Sequence, residues 1–468
     1  MPRMPRTPLA QVPAVLAVRV AFGLAFGLAP RQTLILAPIL AVGLAPLGCG
    51  PSMGSQTPNR SPLATQWLER AKVSYRAGDF DDAKDAAAHA LSAAPNDPEV
   101  REIAARVALV RLDYAEVLKL TEGLMTSSAR GLRGRAFWFS GDVEHAADEL
   151  EAQLADPQVK DAWAQDVAGL ARRGAGRHPF EMQGGIVASV EMPRAIDRVP
   201  LGAANVVPCE LDGERILALV ATGSSEILLD SNSRREPAWV SLRFDRVEVD
   251  DVPALVQDLS SISRQVGVPI KALIGSQFLR HTHATLDRRG DQFVVRREDA
   301  STPPDANRVP LYYVRGGGMM LRATVTARDE GPLPLLIDSS RPFPLLLQDA
   351  AWKKAGVDVN TLVTIPDEPS IKRGVVPVFR IAGFDLAKMP AIEGADFSQL
   401  TAGLDIDLAG VVGADMLSFF RLTFADDGRF MWIEPDPTLL GPDTRTAPPA
   451  PPVSAPPPPS KAPPLSTR

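Results

Sequence analysis

The chain has 468 residues, more than one ordinary hydrophobic core holds, so two or three domains are expected. With 45% hydrophobic residues, 23% charged residues and a net charge of -6, the composition is globular and gives no electrostatic basis for nucleic-acid binding. The chain has only two cysteines, Cys49 and Cys209, which excludes a disulfide framework.

The first 49 residues predict an export signal. Cationic residues precede an apolar run at 33–47, and the run ends in Leu47-Gly48-Cys49. This ending resembles the lipobox of bacterial lipoproteins. The resemblance implies acylation of Cys49 and anchorage on the periplasmic side of a bacterial membrane. Ordinary secretion and an uncleaved membrane-spanning anchor are the alternatives.

Residues 65–175 carry a repeated helical pattern. Gly78-Asp79-Phe80 recurs as Leu112-Asp113-Tyr114, and the two aspartates are 34 positions apart; Gly141-Asp142-Val143 is a third, offset copy. The pattern resembles the tetratricopeptide repeat, in which small residues let paired helices pack closely. The resemblance implies a groove for a partner peptide. A packing module for the rest of the chain is an equally good interpretation.

Two apolar strands further along the chain end in similar turns. The first turn is Ala221-Thr222-Gly223 and the second is Asp338-Ser339-Ser340. Each turn is followed, several strands later, by an apolar pair and a glycine, Leu273-Ile274-Gly275 and Val411-Val412-Gly413. Each motif alone is weak. Their occurrence twice in the same order predicts two copies of one β structure.

These paired motifs resemble the retropepsin/pepsin aspartic protease family in its single-chain form. The resemblance implies an all-β, bilobed domain, with lobe 1 at 200–298 and lobe 2 at 310–436. In that family each lobe brings one aspartate to a shared cleft, and the two carboxylates share a proton because both cannot ionise at close range. The glycine segments, here Gly275 and Gly413, support the turns from behind.

The predicted second lobe has the family's acid and the first lobe lacks it. Asp338 stands at the catalytic position, whereas Ala221 holds the position of the lost partner. A methyl group can neither activate water nor share a proton. Thr222, Gly223, Ser339 and Ser340 keep the rest of the motif. We therefore predict a catalytically degenerate protein. The alternative is an active periplasmic aspartic peptidase that uses Asp338, possibly within a dimer.

No cofactor or metal site is predicted. His281 and His283 would share one face of a strand, which suits a metal, but no third ligand is near them in the sequence. A surface strand is the simpler interpretation. Cys209 is predicted to be a buried structural thiol.

The predicted organisation is an α-helical, tetratricopeptide-like domain followed by an all-β, bilobed domain. The predicted function is binding of a peptide or partner protein through the repeats or the interlobe cleft, with no nucleic acid as partner. In chain order the predicted segments are the export signal at 1–49, a linker at 50–64, the repeats at 65–175, lobe 1 at 200–298, a linker at 299–309, lobe 2 at 310–436 and a proline-rich tail at 437–468.

Overall fold

The computed structural model describes residues 60–315, 317–326, 331–366, 368–394, 397 and 404–435. The predicted signal with Cys49, most of the linker at 50–64 and the tail at 437–468 lie outside the described residues. Among the helices that the structure describes, none has the length and apolarity needed to cross a lipid bilayer.

The described chain begins with antiparallel helix pairs. The helices are α1 (Pro62–Arg76), α2 (Phe80–Ala93), α3 (Pro98–Val110), α4 (Tyr114–Thr121), α5 (Ser127–Ser140), α6 (Val143–Leu154) and α7 (Ala162–Arg172). A Ser, Thr or Asp side chain caps the first turn of each of them, where backbone N–H groups have no helical partner. The region therefore starts its helices at positions that the sequence marks.

The repeated sequence motif corresponds to a structural junction. Asp79, Asp113 and Asp142 are the N-caps of α2, α4 and α6, the second helix of each pair. The residue before each cap has a left-handed backbone, with φ of 68° at Gly78, 59° at Leu112 and 88° at Gly141. A left-handed residue followed by a capping aspartate reverses the chain between two helices. This confirms the prediction of a tetratricopeptide-like helical region.

A mostly β region follows α7. Its strands are β1 (Glu181–Gly184), β2 (Val187–Glu191), β3 (Ala195–Ile196), β4 (Val199–Pro200), β5 (Val206–Leu211), β6 (Glu214–Val220), β7 (Ile227–Asp230), β8 (Ala238–Phe244), β9 (Val247–Gln257), β10 (Ala272–Ile274), β11 (Thr285–Asp287), β12 (Gln292–Arg296), β13 (Asn307–Pro310), β14 (Tyr312–Val314), β15 (Gly318–Ala323), β16 (Leu333–Asp338), β17 (Leu345–Leu347), β18 (Val363–Ile365), β19 (Glu368–Ile381), β20 (Phe384–Glu393), β21 (Gly410–Gly413), β22 (Phe420–Ala425) and β23 (Phe430–Pro435). Short helices interrupt them, namely α8 (Ser260–Val266), α9 (Ser276–His281), α10 (Asp349–Lys354) and α11 (Ala414–Leu417).

Most of the strands form two large sheets and a third sheet that joins them, and β3 and β4 pair with each other in a small sheet of their own. The first has the order β1-β9-β7-β10-β6-β5-β8, and the second has the order β14-β15-β16-β21-β17-β20-β19-β18. The third, β13-β23-β22-β11-β12-β2, takes β11 and β12 from the first half of the β region and β22 and β23 from the second. The pairing of Leu286 with Leu422 lies at this junction. The two halves therefore share one sheet.

The two large sheets have the same strand arrangement around their predicted turns. β10 lies parallel to β6 and antiparallel to β7. β21 lies parallel to β16 and antiparallel to β17. In both sheets a short apolar strand is thus inserted between the strand that leads into the turn and the strand that leaves it.

The β region includes strands ahead of the predicted first lobe. That lobe is predicted to begin at residue 200, and β1 and β2 precede it and pair with β9 and β12. Their exposed residues and short length give little alternation to read.

Candidate functional site

The two predicted turns meet and exchange hydrogen bonds. The Thr222 hydroxyl donates to the Ile337 carbonyl at 2.9 Å and accepts from the Ser339 backbone N–H at 2.9 Å. In the opposite direction, the Ser339 hydroxyl donates to the Val220 carbonyl at 2.7 Å and accepts from the Thr222 backbone N–H at 3.1 Å. Thr222 and Ser339 are both buried. Each hydroxyl both donates and accepts a bond across the contact, so the turns are fixed against each other.

The glycine segments hold each turn from behind at backbone contact distance. A Cβ atom on Gly275 would lie 2.2 Å from the Glu226 carbonyl oxygen, and one on Gly413 would lie 2.0 Å from the Phe343 carbonyl oxygen. These distances are too short for any side chain. The residues predicted as motif support are therefore brought together with the turns, and their lack of a side chain is what permits the approach.

The Asp338 carboxylate is held by its own turn. Its Oδ1 accepts from the Ser340 backbone N–H at 3.0 Å and from the Ser340 hydroxyl at 2.6 Å. Its Oδ2 accepts from Arg341 Nε at 3.1 Å, and the side chain is 9% exposed. A carboxyl group that accepts bonds from a guanidinium and two further donors is held in one orientation.

The first turn keeps its backbone geometry around a methyl group. Ala221 is 2% exposed, and its N–H donates to the Ile274 carbonyl at 2.9 Å. Gly223 lies against the acid of the other turn, since a Cβ there would be 2.8 Å from Asp338 Cγ. The acid position of the first turn is thus adjacent to the second turn but supplies no carboxylate.

The interpretation of the histidine pair as part of a surface strand is wrong. His281 is the last residue of α9, where its ring stacks on Phe180 at 4.5 Å between centroids. Burial lowers the pKa of His281 well below its usual value. His283 follows in a turn with φ of 40° and pairs with Asp299 at 2.7 Å. A helical end followed by a left-handed residue can resemble strand alternation over three residues. In the described ranges no three potential ligands are placed to hold a metal ion.

A buried carboxyl group that sequence reasoning missed lies next to the first turn. Glu226 accepts hydrogen bonds at Oε1 from the indole N–H groups of Trp138, at 3.3 Å, and Trp163, at 2.9 Å. The Ser225 hydroxyl donates to its other oxygen. Burial raises the pKa of Glu226 above its usual value. The two tryptophans belong to α5 and α7, so this site joins the helical region to the β region.

The helical region is docked along the β region by further polar contacts. Arg322 pairs with Asp79 at 3.0 Å, and Arg280 donates to the Tyr114 hydroxyl at 2.5 Å. Trp239 donates to the Leu170 carbonyl at 3.0 Å. The contacts involve α2, α4 and α7 together with β15, α9 and β8. The repeats therefore serve as a packing module, whatever else they bind.

Among comparisons with known proteins, one family model matches part of the helical region. The tetratricopeptide repeat family matches residues 64–107. No curated protein matches the chain.

Among solved structures, the chain is similar to an aspartic proteinase from Irpex lacteus, with 12% identity over 54% of this chain and 98% of that one and a TM-score of 0.36. It is also similar to a retropepsin-like aspartic protease from Rickettsia conorii, with 17% identity over 29% of this chain and 94% of that one and a TM-score of 0.21. The first TPR of Spaghetti bound to an HSP90 peptide gives 18% identity over 24% of this chain and 91% of that one, with a TM-score of 0.21.

Proposed function

We propose that this chain is an exported, lipid-anchored protein of the bacterial cell envelope that binds an extended peptide or a partner protein. Its tetratricopeptide-like repeats and a bilobed, aspartic-protease-like β domain would supply the binding surfaces. In this proposal the protease reaction has been lost.

One observation carries the proposal. Ala221 stands at the acid position of the first turn, and the Asp338 carboxyl group of the second turn is hydrogen-bonded within its own turn. Proton sharing between two carboxyl groups requires a second acid at the first turn, and a methyl group stands there. The oxygens of Asp338 are bonded to Ser340 and Arg341 instead. In this proposal the two turns keep their backbone contacts, but the second carboxyl group that peptide hydrolysis requires is missing.

Two features support binding within a bilobed domain. The same strand arrangement surrounds both turns, and the reciprocal bonds of Thr222 and Ser339 keep the turns in contact. An extended peptide can gain affinity from backbone pairing without any chemistry. Tetratricopeptide repeats offer a second binding surface for peptides or proteins.

The anchor is proposed from the sequence ending at Cys49, and acylation tests it. We expect cells that express the full chain to incorporate labelled palmitate into it and to hold it in the membrane fraction. Cys49→Ser should abolish both, because the acceptor thiol is lost. Cys209→Ser is the matched control, since that buried thiol lies in β5. Unchanged labelling in Cys49→Ser would contradict the anchor.

The loss of reaction is tested with denatured protein substrates between pH 3 and 7. We expect no cleavage by the parent chain. Ala221→Asp combined with Arg341→Ala supplies a second acid and releases Asp338, so substrate cleavage should appear at about 10²-fold above the rate without protein, the lower range of general acid–base catalysis. Peptide products are detected by mass spectrometry.

Asp338→Asn is the control in both backgrounds. It should remove the activity of the combined variant, and in the parent it should leave peptide binding, measured by fluorescence anisotropy, unchanged. Cleavage by the parent that disappears in Asp338→Asn would show an active peptidase and overturn the proposal. A parent chain that neither cleaves nor binds would also overturn it.

A further inference from the structure

A groove on the helical region is occupied by a distant part of the same chain. The groove lies between α1 and α3 and contains a cavity of about 360 Å³. Residues 404–408, Leu-Asp-Ile-Asp-Leu, run along it just before β21 begins. We call these five residues the internal segment.

The contacts of the internal segment recognise an acidic side chain. Asp405 Oδ2 accepts from Arg106 of α3 at 2.8 Å, and Asp405 Oδ1 accepts from the Tyr75 hydroxyl of α1 at 3.3 Å. The backbone N–H of Asp407 donates to the Arg76 carbonyl at 2.7 Å, at the end of α1. The Arg106 guanidinium and the Tyr75 hydroxyl thus bind the Asp405 carboxylate, and the Arg76 carbonyl binds the Asp407 backbone amide.

Aliphatic side chains on either side of the carboxylate complete the pattern. Ile406 and Leu408 are each 3% exposed and pack with residues of the helices and of the second sheet. Asp407 is exposed between them. The ligand that this groove fits is therefore an extended peptide with an acidic residue at the place of Asp405 and aliphatic residues at the places of Ile406 and Leu408.

The contact at Asp405 is suited to exchange. The side chains of Arg106 and Asp405 remain 37% and 32% exposed, and solvent-exposed ion pairs contribute little to stability. The segment is secured at its other end, where the Ala409 N–H donates to the Pro334 carbonyl at 2.9 Å and the Ala409 carbonyl accepts from the Gln348 N–H at 3.0 Å. β21 can thus stay paired while residues 404–408 are replaced, provided that the incoming peptide buries aliphatic side chains in the places of Ile406 and Leu408.

We propose that the groove between α1 and α3 is a binding site for an acidic peptide of this pattern, and that the internal segment is its built-in competitor. An external peptide binds by displacing residues 404–408. The inference rests on the proposed function, since it names the kind of partner that the repeats take. It adds that the full chain limits its own affinity for that partner.

The test uses the full chain and a fluorescein-labelled peptide, Gly-Leu-Asp-Ile-Asp-Leu-Ala. Asp405→Ala weakens the internal competitor, so we expect the peptide to bind about 2- to 5-fold more tightly than to the parent, the range expected from the loss of one exposed ion pair. Asp85→Ala, on an exposed part of α2, is the matched control and should leave affinity unchanged. Adding Arg106→Gln to Asp405→Ala should remove the increase in peptide affinity, because the cation that binds the peptide's carboxylate is lost.

Hydrogen exchange in the unmodified chain gives a second readout that does not depend on a variant folding. Saturating peptide should speed exchange of the Asp407 amide, whose bond to Arg76 is broken, and leave the Ala409 amide protected. Equal affinity in the parent and in Asp405→Ala, or unchanged Asp407 exchange with peptide bound, would overturn self-competition. Binding of denatured-protein peptides that ignores Arg106 would overturn this inference and leave the proposed function standing.

Discussion

Replacing Gly413 with alanine should destabilise the protein by about 3 kcal/mol or more. The added Cβ would lie 2.0 Å from the Phe343 carbonyl oxygen and 2.8 Å from the Arg341 carbonyl oxygen. Both obstacles are backbone atoms, and the Gly413 N–H is bonded to the Pro344 carbonyl at 3.0 Å, so the strand cannot shift without breaking its pairing. Denaturant unfolding, with the midpoint and slope both recorded, measures the loss.

Two other glycines provide a matched case and a control for this prediction. Gly275→Ala should have an effect of the same size, because its Cβ would lie 2.2 Å from the Glu226 carbonyl oxygen in the matching position of the first sheet. Gly331→Ala is the neutral control, since its Cβ position has no atom within 4 Å among the described residues beyond its chain neighbours. If Gly413→Ala unfolds at the same denaturant concentration as the parent, the close approach of Gly413 to the Phe343 carbonyl does not stabilise the Asp338 turn.

The second large effect is expected at Glu226. Glu226→Leu removes the acceptor of two indole N–H groups, from buried Trp138 and half-buried Trp163, and should cost about 2–6 kcal/mol, because each donor left unpaired costs about 1–3 kcal/mol. Glu226→Gln keeps an oxygen at the same place and should cost far less. Thermal and denaturant unfolding of the two variants separate the lost hydrogen bonds from the lost charge.

Glu226 also makes stability depend on pH. Burial raises its folded pKa above the ordinary value of 4.5, although the bonds from Ser225 and the tryptophans act in the opposite direction. Between 4.5 and the folded pKa, the folded protein keeps a proton that the unfolded chain has released. The contribution of this proton to stability is therefore full below pH 4.5 and is lost as pH rises through the folded pKa.

Glu226→Gln should flatten this decline, because the amide does not titrate. Unfolding free energies measured at intervals from pH 4 to 8 provide the test. Glu214→Gln, at an exposed position of β6, is the control and should retain the parent's slope. A slope that persists unchanged in Glu226→Gln would assign the pH dependence to another group.

The parts of the fold that could be predicted from the sequence are those fixed by local chemistry. A few adjacent residues are enough to indicate the capping aspartates of the repeats. The same is true of the apolar strands that lead into the Ala221 and Asp338 turns. The glycine segments are predicted from the resemblance to the retropepsin/pepsin family, which implies their place behind the turns. The caps and the apolar strands need no knowledge of distant partners.

The remaining features depend on partners far apart in the chain. Glu226 follows an unremarkable serine pair, and its role becomes visible only when Trp138 and Trp163 are placed over it. The pairing of Arg106 with Asp405 joins a helix to a loop, and neither residue lies in a motif. The docking of the repeats also depends on distant partners. A single sequence does not show which helix surfaces face the sheets, so it is compatible both with a peptide-binding groove and with a packing module.

The location of the internal segment has a consequence for synthesis. Arg106 precedes Asp405 by 299 residues. At about 5–20 residues per second, the ribosome needs on the order of 15–60 s to add that length, and domains generally fold in order from the N-terminus. Because helical repeats rely mainly on contacts between neighbours, the first repeats can form during this interval. Each newly made molecule thus presents an open groove to its surroundings before it can close that groove itself.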